Sequence, residues 1–483
     1  MLLTQLSQGI GRMVGPDVEV RDVQHDSREC RPGDLYCAVV GRVHDGHTFI
    51  EEALRRGAVA VCASQESAVP QGVPAILVED TRRVMGPLAA RIHGEPTERL
   101  RVFGVTGTNG KTTTTYLLRH LLRQGGRKVD LVGTVERTVG GEAHHSKRTT
   151  PEATDLQRWF GEMLAVGTQD VAMEVSSHAL DLGRVIGVHF AGAVFTNLTQ
   201  DHLDYHGTLE RYLEAKLLLF EQLAPSAFGV VNADDPAAPQ FIAHTRARVL
   251  RFSVQGKADI CAEDLELGPR GSRFTLSVFG EKADVFLPIA GIFNVQNAIA
   301  AAAVAHAAGV PLEEIAQALT TAEPPPGRFQ RIDRGQPFEV VVDYAHTPDG
   351  IEKLLRAARE ISRSRVLIVF GCGGDRDRGK RPQMGSIAGK LADRIFLTSD
   401  NPRSEDPERI IDAIAQGLES GGRKDYVRII DRTQAIRAAV AEARQGDILV
   451  IAGKGHEDYQ IIGGTILHFD DREEAARALE EIR

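Results

Sequence analysis

At 483 residues, with 42% hydrophobic and 25% charged residues, the chain is long for one core but ordinary for a globular protein, and three domains are expected. Lys and Arg total 57 against 66 Asp and Glu; a net charge of -9 opposes a large nucleic-acid footprint, so anionic ligands must be met by local basic clusters. No apolar run is long enough to span a bilayer, and Met1 to Val20 lacks the basic start and apolar core of a secretory signal, so a cytoplasmic protein with no membrane partner is expected.

Residues 1–97 read as a first unit, with strand-like runs at Val18 to Val20, Asp34 to Val40, Ala58 to Cys62 and Ala75 to Val78, at least two helices, and a polar, proline-bearing end, HGEPTERL. From 98 to 327 strands alternate with loops and helices, at 101–106, 128–134, 170–175, 190–196 and 227–232, which implies a mostly parallel sheet covered on both faces. The stiff PPPGR at 324–328 reads as a second linker. Residues 328–483 then carry four apolar runs, each followed by a charged loop: FEVVVDYAHTPDG, SRVLIVFGCGGDRDRGKR, ADRIFLTSDNPRSEDP and DILVIAGKGHEDYQ. In an open α/β sheet ligands sit beyond the carboxyl ends of the strands, where these four loops belong. The odd count of five cysteines (Cys30, Cys37, Cys62, Cys261, Cys372), without paired metal spacing, points to small buried hydrophobes.

GVTGTNGKTTTTYLL, residues 104–118, is a strand, a glycine turn, Lys111 and a helix start. Backbone N–H groups, a helix dipole, the Lys111 charge and the Thr112 hydroxyl together suit a nucleotide phosphate with Mg²⁺. Glycines stand at 104, 107 and 110, while the usual pattern wants one at 105, where this chain has Val105. Glu174 ends a strand of the same unit and can reach that Mg²⁺; a capping role is its plainer alternative. Asp201, His202, Asp204 and His206 in FTNLTQDHLDYHG suggest a second metal site or substrate contacts, with turn formation as the alternative for Asp204 and His206. Lys216 sits among leucines on an amphipathic helix and, by itself, reads as a snorkelling lysine. Thr149 and Thr150 follow a basic stretch (His144, His145, Lys147, Arg148), and Arg184 follows Ser176 and Ser177; such a set suits an anionic or sugar-like substrate. Arg376 and Arg403 at strand ends can grip a carboxylate, and Asp400, Asn401 and Glu457 can accept from an ammonium, which together describe a zwitterionic amino-acid site.

These segments, in this order and over nearly the whole chain, resemble the Mur ligases, ATP-dependent amide-bond-forming enzymes of bacterial peptidoglycan synthesis. DSRECRPGDLYCAVVG, GVTGTNGKTT, TTPEATDL, EVSSHAL, FTNLTQDHLDYHGT, the EAK around Lys216, GIFNVQNAIAA, DYAHTPDG, GCGGDRDRGKRP, SDNPRSEDP and AGKGHEDYQ carry the resemblance. The family's phosphate loop is similar to G-x-x-G-x-x-G-K-T, which accounts for Val105. The resemblance implies a three-domain α/β fold: a UDP-binding unit (1–97), a central P-loop parallel sheet (98–327) and a Rossmann-like amino-acid unit (328–483). It implies a monomer that adds meso-diaminopimelate, through an acyl phosphate, to the D-glutamate γ-carboxylate of UDP-N-acetylmuramoyl-L-alanyl-D-glutamate, with ATP as co-substrate and Mg²⁺ as cofactor. DNPR is the feature that resembles the diaminopimelate-adding type; the alternatives are a lysine-adding relative and, further off, a folylpolyglutamate synthetase or a P-loop switch protein.

Carried over residue by residue, the resemblance gives Lys111, Glu174, His202 and Lys216 the catalytic roles. Gly107, Thr108, Asn109, Gly110, Lys111, Thr112 and Thr113 would hold the phosphates, with Asn294, Asn297, Arg328 and Asp343 around adenine and ribose. Thr112 and Glu174 would hold one Mg²⁺; His202 and Lys216, as a carbamate, would place a second. Ser27 and the loop Arg42 to His44 would meet the UDP portion, and Thr149, Thr150, Ser176 and Arg184 the muramoyl-peptide. Arg376, Asp400, Asn401, Pro402, Arg403, Gly453 and Glu457 would surround diaminopimelate. The chain departs from some members at Leu182, where they have glutamine, and at Phe329-Gln330, where many have glutamate.

Overall fold

The computed structural model describes residues 1–41, 43–146 and 148–482, organised by three large sheets and a two-stranded ribbon, Tyr459–Ile462 with Thr465–His468. The amino-terminal sheet has five strands in the order Arg12–Val14, Ala75–Leu77, Ala60–Ala63, Asp34–Cys37, Asp22–Gln24, the first antiparallel and the rest parallel. Two expectations change here. Val18 to Val20 is not a strand: Glu19 makes only an isolated antiparallel bridge with Leu2, and the strand begins at Asp22. The edge strand Arg12–Val14, three residues with none buried, gave no apolar run to read.

The central sheet has eleven strands. Its parallel heart places Arg101–Thr106 between Asp170–Glu174 and Phe190–Phe195, flanked by Val129–Val132 on one side and by Phe228–Asn232 and Arg248–Ser253 on the other. Arg101–Thr106 is buried almost throughout, as a central strand must be. The strand edge next to it is close enough that a Cβ on Gly104 would meet the Phe190 ring at 2.8 Å. Beyond the parallel part, Ile260–Gly268, Gly271–Val278 and Glu281–Leu287 form an antiparallel meander, with the Phe279-Gly280 turn holding both residues at positive φ (49° and 91°) as a type I′ hairpin requires. The other edge carries the antiparallel ribbon Glu136–Val139 and Glu142–His145.

Helix Lys111–Gln124 buries Leu117, Leu118, Leu121 and Leu122 against this sheet and stops at Gly125 and Gly126, the latter at φ 75°. Beside it lies Ile292–Ala307, whose run of alanines is completely buried; small side chains let the two helix backbones approach closely. Residues 298–305 are therefore core, and among the described residues no helix is long and apolar enough to cross a membrane.

The third sheet runs Gln330–Arg331, Glu339–Asp343, Ile448–Ala452, Val366–Phe370, Arg394–Leu397, Val427–Arg428, parallel except for its first, two-residue edge strand. Its four long strands are the four apolar runs, and their charged loops all emerge at the carboxyl edge. A fully buried Arg432 closes this module by a two-pronged pair with Asp471 at 2.7 Å on both prongs, while donating to Ala452 O at 2.9 Å. PPPGR is pinned rather than loose: a Cβ on Gly327 would fall 2.0 Å from the Gly455 backbone, and Gln330 Oε1 accepts from Gly327 N at 2.7 Å. All five cysteines are buried and free.

Candidate active site

The loop between Arg101–Thr106 and Lys111–Gln124 is built on glycines in conformations and contacts that strain any other residue. Gly107 (φ 148°) and Gly110 (φ 87°) lie where a Cβ would meet Thr196 Oγ1 at 1.9 Å and Asn297 Oδ1 at 2.4 Å. Its backbone is held from the neighbouring strand end: Asn197 Oδ1 accepts from Asn109 N at 3.1 Å, and Thr196 Oγ1 donates to Asn109 O at 2.6 Å. Lys111 Nζ donates to Gly107 O and Thr108 O, both at 2.9 Å. Burial pushes its ammonium down, partly opposed by Glu174 and Asp201.

Glu174 stands at the end of its strand opposite this loop. Its carboxylate accepts from Thr112 Oγ1 at 3.0 Å, Thr134 N at 2.8 Å and Thr134 Oγ1 at 2.9 Å. A hydroxyl and a carboxylate of this kind are hard oxygen donors that fit Mg²⁺. Among the described residues no three His, Cys, Asp or Glu side chains converge as a metal site. Asp201, His202, Asp204 and His206, read from the sequence as a second metal site or as substrate contacts, do not form such a group. His206 is buried against Ser177 Oγ at 3.0 Å, whereas His202 is partly exposed in the left-handed region (φ 54°), with Asp201 Oδ2 3.5 Å from its Nε2.

Lys216 does not snorkel. It is 1% exposed, and its Nζ donates to Gly107 O at 2.8 Å while lying 4.4 Å from the Tyr212 ring centre. Burial, and then the Lys111 charge, push its amine well below the ordinary lysine range. The leucine-rich surroundings that suggested a surface stem instead wall in a lysine aimed at the phosphate loop.

A cleft of about 510 Å³ opens over this loop, lined by Thr108 to Thr113, Glu174, His202, Lys216, Asn297, Arg328 and Asp343 among others. Arg328, from the segment after PPPGR, donates to Thr112 Oγ1 at 3.3 Å and lies over the Tyr344 ring at 4.5 Å. Asp343 accepts from Phe329 N and Ala345 N at 2.7 and 2.8 Å, and burial pushes its carboxyl up against the pull of Arg328. Asn294 is not among the lining residues; its amide donates to Ala290 O at 2.8 Å and braces the start of its helix.

A second cleft of about 760 Å³ is lined by Arg376, Asp400, Asn401, Arg403, Gly453 and Glu457. The loops carrying the two arginines are fastened together. Gly374 packs so tightly that a Cβ would fall 1.9 Å from Pro402 O, Arg403 Nη1 donates to Gly374 O at 2.7 Å, and buried Arg381 grips Glu405 at 2.9 and 3.0 Å, holding that carboxyl down to about 2. Asn401 Nδ2 donates to Glu457 Oε2 at 2.8 Å. Lys454, fully buried, donates to Asn401 Oδ1 at 3.2 Å and to Glu457 Oε2 at 3.4 Å. Burial and Asp400 push the Glu457 carboxyl up.

The two clefts share Thr199, Asp201, His202, Tyr344, His346 and Thr347 as a common wall. Of the residues expected around the muramoyl-peptide, Thr149 and Ser176 line the first cleft. Thr150 is buried, donating to Glu174 O at 2.9 Å, and Arg184 pairs with Glu152 at 2.9 Å; neither lines these clefts. Ser27 also lies outside them, donating to Glu52 at 2.9 Å. Arg42 and Lys147 fall outside the described residues. Sequence reasoning missed Lys454, His346 and Asp349: GKGHE and DYAHTPDG were noticed as loops, but a lone lysine, histidine or first-turn aspartate carries no spacing signal of its own.

Comparison with known proteins agrees along the whole chain. Residues 105–305 match the Mur ligase middle domain, 327–455 the Mur ligase glutamate ligase domain, and 19–93 the Mur ligase family catalytic domain. The chain is 46% identical over 475 residues to the UDP-N-acetylmuramoyl-L-alanyl-D-glutamate–2,6-diaminopimelate ligase of Geobacillus thermodenitrificans, covering 97% of this chain and 96% of that one. The protein of the same name from Geobacillus kaustophilus is 46% identical over 488 residues, covering 99% of each. A solved structure of a ligase of that name superposes with a TM-score of 0.70 at 36% identity, covering 96% of this chain and 95% of the other. With a glycine cradle, a carboxylate facing it and an arginine-bearing pocket across one wall, this chain belongs to the Mur ligase family.

Proposed function

We propose that this chain is an ATP-dependent ligase that joins meso-diaminopimelate to the D-glutamate γ-carboxylate of UDP-N-acetylmuramoyl-L-alanyl-D-glutamate, a step in peptidoglycan precursor synthesis. The observation that carries the reading is the shared wall: the phosphate loop and the arginine-bearing loops open onto clefts with Thr199, Asp201, His202 and His346 in common. Relatives named for this activity, 46% identical over nearly their full length, support it.

In this reading the γ-carboxylate attacks the γ-phosphorus of ATP, forming an acyl phosphate and releasing ADP. The amine of diaminopimelate then attacks the acyl carbon; the amide bond forms as the C–O bond to phosphate breaks, and the amine sheds a proton. Lys111 supplies a positive charge and the loop its N–H groups where negative charge gathers, so the protein's part is positioning and electrostatics. Mg²⁺ on Thr112 and Glu174, and a second ion beside His202 and a Lys216 carbamate, would supply further neutralisation of the phosphoryl oxygens. Thr149 and Ser176 face the muramoyl-peptide, while Ser27 and the segment ending at His44 belong to the UDP side. Arg403 and Arg376 bind the distal carboxylate of diaminopimelate, and Asp400, Asn401 and Glu457 its ammonium. Lysine lacks that carboxylate, so the guanidiniums favour diaminopimelate over a lysine-adding role. A folylpolyglutamate synthetase would leave the module of residues 1–97 without a use. Residues 1–97, 98–327 and 328–483 are taken as the three working domains of a monomeric enzyme.

Phosphate release measured with each component omitted in turn tests the reading. Release is expected only when ATP, the UDP-muramoyl-dipeptide and diaminopimelate are all present; release that ignores the dipeptide would overturn it.

A further inference from the structure

Asp349 lies in the first turn of helix Pro348–Ile361, part of the module that carries the arginines, yet its carboxylate reaches the phosphate loop. Asp349 Oδ2 accepts from Asn109 Nδ2 at 2.7 Å and from Thr199 Oγ1 at 2.9 Å, and it pairs with Lys353 Nζ at 2.9 Å. Both neutral donors belong to the central module. Asn109 is a loop residue whose backbone is already fixed by Thr196 and Asn197, so its side chain is left to reach outward. Thr199 is two residues before Asp201 and exchanges bonds with Thr108, accepting at 3.1 Å through its carbonyl and donating its N–H at 3.0 Å. One carboxylate therefore touches both segments that shape the phosphate cradle from outside. A plain first-turn acid would interact with its own helix dipole and need no other module. Capping does not require it either, since Thr347 Oγ1 accepts from Gly350 N at 3.1 Å.

We infer that Asp349 is a positioning residue for the ligation: it makes the geometry of the phosphate loop depend on the docked carboxy-terminal module, so that phosphoryl transfer is fast only with the amino-acid loops in place. An ionised acceptor already held by Lys353 makes stronger bonds to Asn109 and Thr199 than a neutral one would. The inference rests on the ligase reading above, and its test separates the two.

The test uses the full-length enzyme as wild type, Asp349→Ala, Asp349→Asn, Asn109→Ala and the Asn109→Ala/Asp349→Ala double variant. A fluorescent nucleotide reports Kd, and phosphate release reports kcat and KM. Asp349→Ala is expected to lower kcat about tenfold or more, as small misplacements near reacting groups do, with nucleotide Kd and diaminopimelate KM within about threefold. Asp349→Asn, which keeps an acceptor, should recover part of the rate. The double variant should be no slower than the worse single variant, because both break one contact. Wild-type kcat in Asp349→Ala, or rate losses that multiply in the double variant, would overturn the inference. Where Asp349→Ala does not fold, Asp349→Asn with Thr199→Val completes the same cycle and decides by the same criterion. A wild-type enzyme that fails to ligate would instead sink the ligase reading itself.

Discussion

Lys111 and Lys216 donate to the same backbone carbonyl, Gly107 O, at 2.9 and 2.8 Å. Two ammonium groups on one acceptor repel each other, and fully buried Lys216 is the one whose amine is pushed well below its ordinary range. A lysine amine so held can be neutral, and a neutral amine adds carbon dioxide to become a carbamate. Lys216→Ala is therefore expected to lower kcat by about a hundredfold or more, with partial recovery in formate or acetate, since a small carboxylate restores the missing charge. Full activity in the variant would remove the carbamate from the account.

The arginine pocket makes a separate prediction. Arg403 sits at positive φ (52°) with its guanidinium on Gly374 O, and a Cβ on Gly373 would come within 2.9 Å of it, so the group is fixed at the cleft. Arg403→Ala should cut kcat/KM for diaminopimelate by about a hundredfold, the scale of a lost charge-assisted contact, and leave nucleotide Kd unchanged. Unaltered kcat/KM would show that the distal carboxylate is bound elsewhere.

At Gly110 the backbone itself is tested. Alanine there would adopt a left-handed conformation and drive its Cβ to 2.4 Å from Asn297 Oδ1. Gly110→Ala is expected to destabilise the protein by about 1–3 kcal/mol and to abolish tight nucleotide binding. Thermal unfolding and nucleotide titration of the same sample check both halves.

His456 follows the glycines of GKGHE and packs on Tyr344 with ring centres 5.0 Å apart; its Nδ1 has no hydrogen-bond partner among the described residues. Burial first, and then Arg328, pull its imidazole down to about 3. The unfolded chain takes up a proton near 6.5 that the folded one refuses until about 3, so acid favours unfolding across that window and this group is silent above it. His456→Phe should flatten the loss of stability between those two values by up to about 1.4 kcal/mol per pH unit. Denaturant unfolding of both proteins at a series of pH values reads the difference; parallel curves would contradict it.

What the sequence made legible were the features that local chemistry writes directly. Buried strands such as Val366–Phe370 and Ile448–Ala452 are unbroken apolar runs, and the loop around Gly107, Gly110 and Lys111 has an order that few other uses require. The meander from Ile260 to Leu287 was not foreseen, because its antiparallel strands follow one another without an intervening helix, unlike the strand, loop and helix alternation read for residues 98–327. Taken by itself, Lys216 reads as a snorkelling lysine, and the structure overturns that reading alone. Leucine neighbours describe a helix face equally well whether it looks to solvent edge or to core, and only the packing of Leu209–Glu221 against the phosphate loop decides. Asp349 and Lys454 were invisible because their partners lie 240 and 53 positions away in the chain, at Asn109 and Asn401, a relation set by the docking of modules and loops rather than by any local pattern.

The most direct measurement is a competition. The purified enzyme is given ATP, the UDP-muramoyl-dipeptide and equal concentrations of meso-diaminopimelate, L-lysine and L-ornithine, and the products are weighed by mass spectrometry. A single UDP-tripeptide with the mass of the diaminopimelate adduct is predicted; a lysine or ornithine adduct in comparable amount would contradict the reading of the arginine pocket on which the account depends.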